Sequence, residues 1–143
     1  MLRSFPMMFF AVLFYNLIWV FHWTTGSAVG ATLATGFTIP MFSGEPWVFT
    51  VSDLLLVTSL CLLFVEIVKS TRTNAGEVVN HALSVLVFVV ALVEFIVLRG
   101  FSTSTFFLIL VMCLFDVVAG FTISIVAAKR DLGTPATGIL GTN

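Results

Sequence analysis

Four carboxylates, Asp53, Glu66, Glu94 and Asp116, stand inside runs made otherwise of Leu, Val, Ile and Phe. A charged group in hydrocarbon costs about 2.5–3.5 kcal/mol on insertion scales, so each must find a partner, water or a proton. Two kinds of chemistry fit such groups. One is a protonatable relay or substrate site, as in proton-coupled carriers. The other is interhelical hydrogen bonding that fixes packing, within the chain or against another membrane protein.

Other chemistries find less support. The two histidines, His22 and His81, are expected at opposite ends of the molecule, too far apart to ligate one haem in one chain. Glu66 and His81 could meet, but two ligands do not make a metal site. Ser84 follows His81 by three residues on one helix face, a spacing that arises commonly by accident and does not by itself make a nucleophile–base pair. The stretch Gly26 to Gly36 has no following Lys and so is not a phosphate loop. Cys61 and Cys113 are not spaced as a redox or metal pair and are expected to be buried, inert thiols. No catalytic residue, metal or cofactor is expected, and the chain is not read as an enzyme.

The elements that must position these groups follow from composition. The chain has 143 residues, 59% of them hydrophobic and 9% charged. Soluble domains carry about 25% charged residues, so this chain cannot cover a water-facing surface and is expected to sit in a lipid bilayer. Its net charge of −1 argues against a nucleic-acid partner. A bilayer core takes about 20 mostly apolar helical residues, and four runs qualify: about 7–25, 49–68, 78–98 and 104–128. Open β-structure is excluded at membrane depth, where unpaired backbone groups meet no water. The expected fold is therefore all-α, a four-helix transmembrane bundle in one domain.

Between the first two spans lies a longer segment, Gly26 to Pro46, rich in Gly, Ala and Thr. Pro40, Gly44 and Pro46 break any continuous helix there, and an ordered loop on the outer end of the bundle is expected. Residues 131–143 read as a loose tail.

Within the spans the polar residues form lines. Asp116, Gly120, Ser124 and Ala128 recur at intervals of four, a small-residue stripe that lets two helix backbones approach closely. Ser59, Glu66 and Ser70 mark a second line. His81, Ser84, Ala91 and Glu94 occupy an arc of about 140° on the third span. Counting depth along antiparallel helices gives an outer layer of Asp53, Glu94 and Arg99. The inner layer holds Glu66, His81, Lys69, Arg72 and Lys129, with Asp116 between the two. Asp53 and Glu94 are expected to share a proton or the partner Arg99.

Lys and Arg set orientation in membrane proteins. Arg3, Lys69, Arg72, Lys129 and Arg130 fall on one side of the four spans and Arg99 on the other, so both termini are expected to be cytoplasmic. Trp19, Trp23 and Trp47 then mark the outer interface, with His22 beside them. Arg3, the first apolar run and Ser27-Ala28-Val29-Gly30-Ala31 also fit a signal peptide. Asn16, Trp19, His22 and Trp23 make a poor end to a signal core, and an uncleaved first span is expected.

The runs Asp116-Val117-Val118-Ala119-Gly120-Phe121-Thr122 and Ala127-Ala128-Lys129-Arg130-Asp131, with Glu66-Ile67-Val68-Lys69-Ser70-Thr71-Arg72, carry a resemblance. They look like a group of small, uncharacterised multi-pass inner-membrane proteins of proteobacteria. The resemblance implies a bacterial inner-membrane location and no activity. The leading expectation is an accessory or assembly subunit that packs through its stripe against a membrane protein partner or in a homo-oligomer. The alternative is an oligomeric proton- or ion-coupled carrier or channel using Asp116, Glu94 and Glu66.

Overall fold

A helix of 20 residues rises about 30 Å, the thickness of a bilayer's hydrocarbon core. Four helices of that scale dominate the computed structural model, which describes residues 5–71 and 77–133. They are α1 (Met8–Thr25), α3 (Val51–Ser70), α4 (Glu77–Val97) and α5 (Ser104–Gly133). The fold is all-α, and the four helices are long and apolar enough to cross a membrane.

The helices run up, down, up, down. α5 packs most heavily on α3 and α4, and α1 packs chiefly on α3. Each helix turns a narrow stripe inward and shows Leu, Val, Ile and Phe outward, as a lipid-facing surface requires. On α3 the inward stripe is Leu55, Ser59, Leu63, Glu66 and Ser70. On α4 it includes His81, Ser84 and Ala91, and on α5 Phe106, Ile109, Cys113, Asp116 and Gly120.

The segment between the first two spans is more structured than the expected loop. It forms a five-residue helix, α2 (Val29–Leu33), and two strands, β1 (Gly36–Pro40) and β2 (Pro46–Thr50). The strands pair antiparallel, with Phe37 opposite Phe49 and Ile39 opposite Trp47. Alternation of aromatic and small residues favours a pleated ribbon, and Pro40 and Pro46 sit at its far end, where no ladder donor is needed. A bond from Val51 N–H to the Thr35 carbonyl, 2.8 Å, roots the ribbon on α3.

The helix ends differ from the sequence expectation in two places. α3 begins at Val51, because Thr50 caps it. α5 continues to Gly133, past the expected end at 128, so it absorbs the start of the presumed tail. Residues 134–143 lie outside the described residues, as do Arg3 and Arg72.

At the ribbon end an aromatic knot closes the core. Tyr15, Phe101 and Phe106 are fully buried, with ring centroids 4.6–5.3 Å apart. The Tyr15 hydroxyl lies 2.9 Å from the Gly100 carbonyl and 2.7 Å from Thr103 Oγ1. The Trp19 indole N–H donates to the Arg99 carbonyl at 2.8 Å. Gly100 has φ +93°, and a Cβ there would press on Trp19 and Val29. Only glycine fits this α4–α5 turn, because it alone takes a positive φ without steric cost and leaves the indole its space.

Candidate functional site

Every span carries at least one buried or half-buried polar side chain, and the physics of a bilayer requires an account of each. Three of the four intramembrane carboxylates have partners.

Asp53 occupies the third position of α3. Its Oδ2 accepts from the Thr50 N–H at 2.8 Å and from the Thr50 hydroxyl at 2.7 Å, while Thr50 Oγ1 accepts from the Asp53 N–H at 3.2 Å. This is a reciprocal capping box, which satisfies backbone donors the first helical turn leaves free. Asp53, Glu94 and Arg99 all lie toward the ribbon end, but the expected sharing of a proton or of Arg99 is corrected, since Asp53 and Glu94 have separate partners. Asp53 caps its own helix, and Arg99 contributes its carbonyl to Trp19. The motif Thr50-x-x-Asp53 was present in the sequence as the signal for this cap.

Glu94 is half-buried and accepts from Asn16 Nδ2 at 3.1 Å, across the α1–α4 contact. Asn16 was the overlooked partner, a lone amide in an apolar span.

Glu66 is completely buried and fully matched. Its carboxylate accepts from Lys69 Nζ at 3.2 Å, from Met7 N–H at 2.9 Å and from Asn80 Nδ2. Lys69 also donates to the Phe5 carbonyl at 2.7 Å and to Asn80 Oδ1 at 3.2 Å. A helix N-terminus presents unpaired N–H groups and a partial positive charge. Glu66 meets that end of α1, and the network ties α1, α3 and α4 at the end away from the ribbon. Asn80 is a further residue that sequence reasoning missed. Ser59 and Ser70 donate back to Leu55 and Glu66 carbonyls on their own helix.

The fourth carboxylate is different. Among the described residues, three buried side-chain atoms have no hydrogen-bond partner: Asp116 Oδ2, His81 Nε2 and Ser84 Oγ. These residues are 3%, 6% and 2% exposed. α4 and α5 are antiparallel neighbours, and the His81 ring lies directly on Gly120. One turn further toward the ribbon, Ser84 comes level with Asp116 and lies beside its carboxyl. Phe121 flanks the imidazole at 6.3 Å between centroids. A Cβ at Gly120 would overlap His81 Nδ1 and Cε1, so Gly120 makes the space the ring occupies. An acid, an imidazole and a hydroxyl thus lie buried on facing turns of two helices. Their combined chemistry is to hold a proton or a small hydrogen-bonding or cationic guest.

The stripe on α5 is divided. Asp116 and Gly120 are buried within the chain, Ser124 is half-buried, and the Ala128 side chain lies outside the described residues. The part of the stripe expected to meet a partner is in this fold used against α4.

Two other expectations change. His22 is buried and bridges Ser27 and Thr32 through its two ring nitrogens, which clamps α2 to the end of α1. It remains at the outer end of α1 but is turned into the chain rather than outward. Cys113 is buried as expected, whereas Cys61 is exposed on the outside of α3. A cleft of about 410 Å³ opens at the ribbon end beside Trp19, Trp23, Ser27 and Arg99. Among the described residues, no group of three His, Cys, Asp or Glu side chains is arranged to hold a metal ion.

These features define a class: an integral, multi-pass helical membrane protein with a buried polar layer. No family model, curated protein or solved structure matches the chain.

Proposed function

We propose that the chain is a non-enzymatic, proton- or ion-coupled membrane carrier or channel component in which Asp116, His81 and Ser84 form the binding site. The observation that carries this reading is the set of three buried polar atoms without partners on facing turns of α4 and α5. Native interiors pair almost all such groups, and hydrocarbon makes the omission more costly. An unmatched acid beside an imidazole is suited to taking up and releasing a proton or cation. Between His81 and Glu94 lies the run Val85 to Val93, wholly apolar, which would insulate the site from the far side.

The accessory-subunit reading loses its main support, because Asp116 and Gly120 already face His81 and Ser84. The short connections between spans still suit a subunit role within an oligomer. Lys69 and Lys129 belong to the end away from the ribbon. With Arg3, Arg72 and Arg130 in the sequence, the positive-inside tendency supports that end as cytoplasmic. The resemblance to proteobacterial proteins supports a bacterial inner membrane.

Proteoliposomes with an internal pH-sensitive dye and an imposed potential test the proposal. The native chain should conduct or exchange protons or alkali cations above empty vesicles, and Asp116→Asn should lower the rate at least tenfold. Infrared difference spectra should show a titrating carboxyl band that Asp116→Asn removes. Native vesicles no faster than empty ones, together with no titrating carboxyl, would refute it. Gly120→Leu does not separate the two readings, since the new side chain would strike His81 in either case.

A further inference from the structure

The ribbon of β1 and β2 has two unlike faces. Strand geometry puts alternate residues on one side. Phe37, Ile39, Trp47 and Phe49 therefore share a face, while Thr38, Pro40, Pro46, Val48 and Thr50 share the other. The aromatic face is internally packed, with Phe37 and Trp47 each 5.5 Å from Phe49. Yet Phe37 remains 62% exposed and Trp47 48%. Met41 and Phe42, in the connecting turn, are exposed as well. A two-stranded ribbon is marginal in water even when one face is covered, and among the described residues no other element covers Phe37 and Trp47.

We infer that this aromatic face beds in the interfacial layer of the bilayer, as a surface anchor for the ribbon end of the bundle. Three observations select lipid as the occupant. First, β2 ends at Thr50 and the membrane-spanning helix α3 begins at Val51, so the ribbon is rooted at the bilayer boundary with no spacer. Second, Trp and Phe dominate the face, and between Gly36 and Thr50 the single charge is Glu45, in the turn. Aromatic side chains without charge suit the headgroup–acyl boundary. Third, Trp23 at the end of α1, 75% exposed, stands at this same end of the bundle, so the ribbon's aromatics belong to a belt at one depth.

The test places the full chain in phosphatidylcholine nanodiscs and reads Trp47 as the difference between native protein and Trp47→Phe. Lipids brominated high on the acyl chain should quench that component at least twofold more than lipids brominated near the chain end. Aqueous acrylamide should quench it several-fold less than free tryptophan. Adding anionic lipid or salt should leave both values unchanged. Should Trp47→Phe fail to fold, Phe42→Trp on the otherwise native chain adds a reporter at the tip with the same expected pattern. Strong acrylamide quenching with no bromolipid effect would overturn the inference, because the ribbon would then stand in water. Protection from both quenchers would also overturn it, because protein would then cover the face. Neither result depends on whether Asp116 binds a proton.

Discussion

Glu66 and Asp116 lie at the same end of one bundle, on adjacent helices, and both are shut away from solvent. Glu66 has an ammonium, an amide and a backbone N–H around it. Asp116 has an imidazole and a hydroxyl nearby, with atoms on all three groups left unpaired. A buried charge that is fully matched serves architecture, since its neighbours were placed to receive it. A buried acid with unfilled valences keeps its capacity for something else. Burial alone therefore does not single out a carboxylate; the unpaired Oδ2 is what sets Asp116 apart from Glu66.

That contrast can be broken by experiment. Unfolding can be followed in mild detergent by thiol labelling of Cys113 in a Cys61→Ser background, because Cys113 is buried and Cys61 is not. The largest effect is expected from Glu66→Ala, which strands Lys69, Asn80 and the start of α1. The loss should be about 3–5 kcal/mol, as for removal of one partner of a buried pair. A loss below about 1 kcal/mol would show that the network is not structural.

Gly120→Leu comes next, at about 1–3 kcal/mol from overpacking. His81→Ala in the same chain should restore part of that loss, since the ring is what the new side chain meets. Additive losses would place the two residues apart. Asp53→Ala removes the acidic half of the capping box and leaves Thr50 on the residue 53 N–H, so it should cost about 0.5–1 kcal/mol. It sharpens the comparison as a carboxylate whose role is local.

Asp116→Leu should have the smallest effect on stability, within about 1 kcal/mol of native and of either sign, because it replaces a buried acid whose Oδ2 is unpaired. The same variant should abolish proton or cation movement. A loss on the scale of Glu66→Ala would instead make Asp116 a structural residue.

The four spans were legible because length and apolarity suffice to define them. The inward lines on α3, α4 and α5 were legible too, since a few polar residues on apolar helices leave little choice of face. α1 resisted this reading. Its residues Met8 to Thr25 are apolar nearly all round, so no pattern could pick Met8, Ala11, Val12 and Tyr15 as its buried side. The pairing of Asn16 with Glu94 was hidden for the same reason. Relative rotation of helices arises from tertiary packing, which periodicity within one helix does not encode. The ribbon and the Thr50–Asp53 box were missed for a different reason. Their signals, alternating aromatics between prolines and a Thr three residues before an Asp, are short and were masked by the Gly- and Thr-rich run around them.

The extra length of α5 has a mechanical consequence. From Asp116 to Gly133 the helix extends about 26 Å, so a tilt of roughly 10° at the buried acid would swing its end by about 4.5 Å. Continuous α-helix is stiff over that span. On the proposed function, a guest at Asp116 that tilts the helix would displace its far end, where an attached fluorophore could report the movement from outside the bilayer.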